Sequence, residues 1–408
     1  MIEVVGVPAA GVTALPPDLR RIVDGAAVLV GSPRLLAAVA EHPADKVEWP
    51  RPLLPGLDEL LAELSEGPQP VVVLATGDPL DHGIGATLIR RLGADRVRVH
   101  PVAGSVALAR AAMGWSTRDV DVVSLLTSGP EAINRLLTPH RRILVLSPDE
   151  SGPARVAEML RADWPETRLT VLANLGAADE ERIELSVDTA ATTPVPRLHV
   201  IAVELPAGPT IGTTPGRPDE TFDHDGQLTK RELRAIALAA LRPAPGQVLW
   251  DLGAGAGSVA IEWALHDPRC TAHAVERHPE RAARITANAR SAGATGVRVV
   301  ASDVASALTD LPTPDAVFLG GGITAEVIDR AWAALAPGGR IVAHTVTIDT
   351  ERVVVEAHRR FGGELRRIMI ERADPLGSYL AWRPARPVVE WSATRPAAPH
   401  RPAPEETT

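Results

Sequence analysis

Two carboxylates and three glycines carry the clearest chemistry in this chain. Val248-Leu249-Trp250-Asp251-Leu252 is an apolar run interrupted by one acid, and Gly253, Gly255 and Gly257 alternate with alanine before Ser258 opens a helical stretch. Glycines at a strand-to-helix turn permit a tight backbone and close ligand approach, and the helix start offers unpaired N–H groups. That is a nucleotide-type pocket. A dinucleotide fingerprint requires glycine where Ser258 stands, and Asp251 would meet a pyrophosphate with like charge. S-adenosylmethionine suits the turn better, because it has no phosphate and its sulfonium and ammonium are attracted to acidic groups. Glu276 closes the next apolar run, Thr271 to Val275; it lies about 20 residues on, the spacing of a carboxylate that grips ribose hydroxyls. The competing reading is an ordinary α/β turn with a charge at its rim.

Such residues need strands that end at one edge of a sheet with helices between them, so the expected class is α/β. In the second half a helix from about Thr229 to Leu241 precedes the glycine strand, and further strands are expected at Thr271, Val297, Asp315, Arg340, Glu364 and Ser378. Helices fit between the first six strands, and only Pro375-Leu376-Gly377 precedes the last. This predicts a Rossmann-like, seven-stranded sheet, mostly parallel, with a terminal hairpin. The first half opens on a buried strand over 2–7 that closes at Gly6, followed by strands at 26–31, 71–76 and 97–100. The run Val71 to Thr76 ends in Gly77-Asp78-Pro79, and Pro101-Val102-Ala103 leads through Gly104 and Ser105 into a helix; ligands of open α/β sheets sit at such carboxyl ends. From about residue 120 the strands crowd together, and those near Ile183 and His199 leave no room for a long helix. A mixed sheet with an antiparallel edge follows.

The map is therefore a first domain over 1–205, in two α/β subdomains split near 115–120, a Pro/Gly-rich linker over 206–220, a second domain over 221–394, and a disordered Pro/Ala/Glu-rich tail over 395–408. With 408 residues and 45% hydrophobic content the chain can fill two cores. Its only cysteine, Cys270, excludes an intrachain disulfide and points to a reducing cytoplasm. The apolar start of the chain lacks a basic segment, so it reads as a strand and not a signal peptide. A net charge of −9 argues against nucleic acid held by bulk electrostatics and, with the lack of a basic aromatic face, against a methyltransferase acting on RNA or protein. Lys46 and Lys230 are the only lysines, so scattered arginines carry little weight.

Both halves resemble known families. Val4-Val5-Gly6-Val7-Pro8-Ala9-Ala10-Gly11, Val30-Gly31-Ser32-Pro33-Arg34, Leu74-Ala75-Thr76-Gly77-Asp78-Pro79 and Pro101-Val102-Ala103-Gly104-Ser105 resemble the glycine-rich opening and loop motifs of the tetrapyrrole (corrin and porphyrin) methylases. Pro8 stands where that family usually has glycine, Ala10 where it has an acid, and Ser124-Leu125-Leu126-Thr127 where it commonly has Ser-x-His-Gly. In the second half the stretch from Asp225 to Arg234, the glycine turn, Ala274-Val275-Glu276-Arg277, the run Pro314 to Gly322 and Pro337-Gly338-Gly339-Arg340 are similar to class I, S-adenosylmethionine-dependent precorrin methyltransferases. In this order the halves resemble the bifunctional, decarboxylating precorrin-6Y C5,15-methyltransferase family of cobalamin biosynthesis.

The resemblance implies methylation of precorrin-6Y at C5 and C15, loss of the ring C (C12) acetate carboxyl to give precorrin-8X, one S-adenosylmethionine per half, no metal, and a cytoplasmic homo-oligomer, dimeric through the first half and tetrameric through the second. It implies donor contacts from Gly253, Gly255, Gly257, Asp251 and Glu276, with Asp303 near the adenine amine; a helix N-cap is the equal alternative for Asp303. Gly320, Gly321 and Gly322 would admit a flat macrocycle, or form a plain loop. Thr229 is expected at the donor site, and also reads as a helix cap with Glu232 as its capping-box partner. Lys230 and Arg231 either bind substrate carboxylates or sit in a solvated first turn. His344 is either a proton carrier or structural. In the first half Gly6, Gly77, Asp78, Gly104 and Ser105 are expected at a donor site, with Asp78 alternatively a turn former before Pro79. A second hypothesis, resting on Pro8, Ala10 and Thr127, makes the first half a substrate-binding or dimer-forming module with catalysis confined to the second.

Overall fold

A computed structural model describes residues 1–126, 128–208, 212 and 214–397. The chain forms two compact units, Met1–Pro209 and Thr210–Thr408. Thr127, much of the 206–213 stretch and all but the start of the expected tail lie outside the described residues. Among the described residues no helix is long and apolar enough to cross a membrane.

The first unit contains two five-stranded sheets. Strands β1 (Ile2–Val7), β2 (Val28–Gly31), β3 (Asp45–Glu48), β4 (Val71–Thr76) and β5 (Val97–His100) are all parallel, in the order β3-β2-β4-β1-β5. Val4, Val5, Val72 and Val73 are buried on both faces, which is why β1 and β4 read as unbroken apolar runs. β3 was not expected from the sequence. Its Asp-Lys-Val-Glu composition is that of an edge strand with one half-buried side chain, so it has no hydrophobic signature. The second sheet contains β6 (Asp121–Ser124), β7 (Arg142–Leu146), β8 (Arg168–Ala173), β9 (Glu181–Ser186) and β10 (His199–Glu204), ordered β6-β7-β10-β8-β9. Only β6 and β7 are parallel; the other pairings are antiparallel, as the short connections require.

The second unit is built on β11 (Val248–Leu252), β12 (Thr271–Val275), β13 (Val297–Val300), β14 (Ala316–Leu319), β15 (Arg340–Thr345), β16 (Glu364–Ile368) and β19 (Val388–Thr394), in the order β13-β12-β11-β14-β15-β19-β16. The first five are parallel, and β19 runs antiparallel between β15 and β16. The strand expected at Ser378 does not join this sheet. β17 (Glu371–Leu376) and β18 (Tyr379–Pro384) form a separate two-stranded ribbon, largely exposed on both faces. β19 completes the sheet instead, because its Val-Val-Glu-Trp run is fully buried and the ribbon has no core to enter. Leucine, alanine and Phe318 side chains fill one face of the sheet, and Trp250, Trp391 and Ile341 the other.

Candidate functional site

The sheet of the second unit reverses its winding between β11 and β14, where open α/β sheets make their ligand crevice. The glycine turn opens there. Gly253, Gly255 and Gly257 have φ of 73°, 60° and 78°, a region that side chains with a Cβ rarely enter. Each glycine also has a protein neighbour where its Cβ would project. At 253 a Cβ would lie 2.6 Å from Gly321 Cα, at 255 it would lie 2.7 Å from the Gln227 carbonyl, and at 257 it would lie 2.6 Å from Ile285 Cγ2. The glycines therefore allow three pieces of the unit to converge. Gly320 and Gly321 donate backbone hydrogen bonds to the Leu252 carbonyl, so the loop after β14 lies directly against the turn.

Glu276, at the end of β12, is buried and ties the turn to its own strand. Its Oε2 accepts the Gly255 N–H (3.0 Å) and its Oε1 the His278 N–H (2.9 Å). Each carboxylate oxygen keeps acceptor capacity for a further donor. Asp251 lies on β11 below the turn, 1% exposed. Its Oδ2 accepts the Ala260 N–H (3.0 Å), whereas Oδ1 has no hydrogen-bond partner among the described residues. Burial, reinforced by the nearby Glu276 charge, raises its pKa to about 7. The Glu276 carboxylate, bonded to the turn itself, disfavours phosphate and favours a cation.

A segment that overlaps the expected linker over 206–220 forms the other wall. Gly216 and Arg217 N–H groups donate to Glu262 (2.7 and 2.9 Å), and Arg234 Nε donates to the same carboxylate at 2.6 Å. Arg234 is fully buried, stacks on Phe222, and also reaches Asp219 and the Thr229 and Arg217 carbonyls. Asn288 exchanges hydrogen bonds with the Asp223 backbone and donates to the Ala256 carbonyl, while Ala256 N–H donates to Gln227. Residues 216–230 thus form a strap over the turn. Gln227, Asn288, Glu262 and Arg234 were not singled out from sequence, although Gln227 and Arg234 lie in the stretch Asp225 to Arg234 that carries the resemblance.

Thr229 does not cap the following helix. The helix Arg231–Leu241 starts from Lys230 with no side-chain cap, because the Thr229 carbonyl is drawn to Arg234 and Glu232 pairs with Arg372 (2.7 Å). Lys230 reaches Asp219 at 3.5 Å, and Arg231 is exposed. Asp303 is the N-cap of a short helix, accepting the Ser306 N–H at 3.0 Å; the Ser306 hydroxyl, with that N–H, holds its carboxyl below the usual range. His344 is buried at the end of β15, its Nε2 2.8 Å from Glu390 Oε2 and its ring edge-on to Phe318.

In the first unit the ends of β1, β4 and β5 converge. A Cβ on Gly6 would overlap the Gly77 carbonyl, and one on Gly77 would lie 2.8 Å from Gly104 Cα. Gly77 and Ser105 line a cavity of about 760 Å³ that also takes in Pro8, Arg34, Asn174 and His199, so both sheets of this unit contribute to it. Asp78 Oδ1 accepts the Leu80 N–H at 2.8 Å, an Asx turn around Pro79.

Two outcomes follow from this geometry. Replacing Arg234 with alanine strands the buried Glu262 charge, and the second unit should lose about 3–5 kcal/mol in urea unfolding. Asp251 sets a pH dependence of the opposite sign to that of a salt-bridged acid. Below about pH 4 it is protonated folded and unfolded; between about 4 and 7 only the unfolded chain gives up the proton, so stability falls as pH rises. The loss should reach on the order of 4 kcal/mol above pH 7, and Asp251→Asn should abolish that slope.

Residues 1–191 match the family of Tetrapyrrole (Corrin/Porphyrin) Methylases, and residues 220–395 match the Precorrin methyltransferase domain. A Sinorhizobium sp protein named precorrin-6Y C(5,15)-methyltransferase [decarboxylating] is 40% identical over 400 residues, covering 97% of this chain and 96% of its own length. A protein of the same name from Mycobacterium tuberculosis (strain CDC 1551 / Oshkosh) is 41% identical over 403 residues, covering 97% and 100%. A probable cobalt-precorrin-6B C(15)-methyltransferase (decarboxylating) from Pyrobaculum calidifontis is 35% identical over 182 residues, 43% of this chain and 93% of its own. With identity of this level running through both units, the chain belongs to the family of decarboxylating precorrin-6Y C(5,15)-methyltransferases.

Proposed function

We propose that the chain methylates precorrin-6Y at C5 and C15 and removes the ring C acetate carboxyl, with one S-adenosylmethionine bound by each unit. The observation that carries the reading for the second unit is the acidic glycine turn. A half-satisfied, buried Asp251 and a Glu276 with spare acceptor capacity fit a cationic donor with ribose hydroxyls and do not fit a pyrophosphate. When bound, the donor supplies an electrophilic methyl group. Gly253 and Gly255 bring backbone close to it, Glu276 holds the ribose, Asp303 is assigned to the adenine amine, and Lys230 and Arg231 attract the carboxylates of a polyanionic tetrapyrrole. The meso carbons are enamine-like, so the protein's part in transfer is orientation and exclusion of water.

C15 methylation and decarboxylation are assigned to the second unit and C5 methylation to the first. A relative that spans less than half of this chain and is named for C(15) methylation with decarboxylation supports keeping those two steps on one unit. In the first unit the shared cavity, with Gly77 and Ser105 on its wall, supports a donor site of its own. Pro8 and Ala10 favour the other reading, in which that unit only binds substrate or builds a dimer. A buried Cys270 suits a reducing cytoplasm, and the exposed Leu376, Tyr379, Leu380 and Trp382 of the ribbon support a homo-oligomer.

Calorimetry separates the readings. Two donor equivalents should bind per chain, and a single equivalent in the wild type would remove the first-unit site. Glu276→Gln should weaken only the second-unit site, by roughly 10- to 100-fold, the worth of about 1.5–3 kcal/mol of charge-assisted hydrogen bonding. Unchanged affinity there would end the ribose assignment.

A further inference from the structure

A buried charged row stands beside the crevice, and no step of the proposed methyl transfer uses it. His344 on β15, Glu390 on β19 and Arg366 on β16 are register partners across three neighbouring strands. His344 pairs with Glu390 at 2.8 Å, and Arg366 takes the other oxygen of the same carboxylate. Glu390 is 0% exposed, so an ionised group has been carried fully into the sheet. A buried carboxylate costs several kcal/mol unless it is paired, and a sheet needs no charge at this point; valine or leucine would fill it.

The location is informative. β15 is one strand from the β11–β14 crevice, and His344 lies one step past the Leu319–Ala343 pair, level with Gly320. Its ring meets Phe318 edge-on, with centroids 5.2 Å apart, and the edge of Phe318 lies under Gly320, 3.1 Å from where a Cβ would be. With Nε2 held by Glu390, the proton on that nitrogen and the orientation of the ring are fixed, and Nδ1 is the nitrogen that remains for proton exchange.

We propose that His344 carries the proton that finishes the decarboxylation, with Glu390 and Arg366 as its positioning residues. The inference rests on the assignment of decarboxylation to this unit. Methylation leaves the macrocycle cationic. The bond between the acetate methylene and its carboxylate then breaks, carbon dioxide leaves, and the electron pair enters the conjugated ring as an exocyclic methylene. The His344 imidazolium gives its Nδ1 proton to that methylene carbon, forming the ring C methyl group, and the ring returns a proton to Nδ1 from the position that restores its neutral conjugation. Glu390 holds the ring in place during this exchange, and Arg366 occupies the other oxygen of Glu390.

The test follows carbon dioxide release and appearance of the ring C methyl group by NMR separately, with precorrin-6Y labelled at the acetate methylene and full-length His344→Gln, Glu390→Gln and wild-type enzyme. In His344→Gln, carbon dioxide release and the KM for donor should stay at wild-type values while methyl formation slows by roughly 10²-fold, the usual worth of a positioned acid. Glu390→Gln should act in the same direction and less strongly. Methyl formation at the wild-type rate in His344→Gln overturns the proposal, as does equal slowing of both events, which is the behaviour of a merely structural row. If Glu390→Gln loses donor binding through misfolding, the His344→Gln result decides alone. A wild-type enzyme that releases no carbon dioxide would refute the activity assigned to the unit, an outcome distinct from failure of the His344 relay.

Discussion

The second unit depends on one buried ion pair. Arg234 and Glu262 lie on consecutive helices flanking β11, and their 2.6 Å contact is only the centre of the arrangement. Glu262 also receives two backbone N–H groups from the strap, and Arg234 gives its remaining donors to two strap carbonyls and Asp219. Full satisfaction of both charges is what makes their burial tolerable. Its consequence is local. Residues 216–230, which have little regular structure of their own, acquire one conformation, and that conformation brings the Gln227 carbonyl against the glycine turn.

The glycines of the turn take on a second meaning in this light. Close ligand approach is one reason to lack a Cβ, but Gly253, Gly255 and Gly257 are each also required by a protein neighbour: the loop after β14, the strap and the helix Pro279–Ala292. The crevice is defined by convergence of these pieces, with Glu276 bonded to Gly255 as the tie from the adjacent strand. A substitution in the turn therefore disturbs the walls of the site as well as its floor.

What was legible in the sequence was local. The strand, the turn and Glu276 are close in the chain, and their spacing alone predicts their meeting; buried runs such as Val71 to Ala75 announce themselves by composition. Interactions over long sequence separation were not legible. Glu390 is 46 residues from His344, and Asn288 is 65 from Asp223. The Thr229 cap was misread because capping rules describe a helix start in isolation, whereas here a buried guanidinium takes the carbonyl that the pattern leaves out of account. The strand expected at Ser378 belongs to the ribbon Glu371–Pro384 and not to the sheet, because a tight turn between two strands says nothing of what covers them. β19 has the stronger claim on the core, since Trp391 is wholly buried with its indole N–H donating to the Gly362 carbonyl.

The distribution of titratable groups fits a site whose ligands bring most of the reactivity. A sulfonium donor and an electron-rich tetrapyrrole need no strong base at the moment of transfer, so a protein serving them gains from fixed backbone and from excluded water. That is how the crevice is made: glycines line its meeting edges, and Asp251 and Glu276 are fixed by backbone N–H groups while keeping acceptor capacity to spare. Decarboxylation is the exception, since it ends with a carbon that must receive a proton. In the proposed relay His344, held by a carboxylate that is itself held by an arginine, serves that step and not methyl transfer. The physical cost of burying Glu390 is thereby matched to the one step that the substrate and donor cannot complete between themselves.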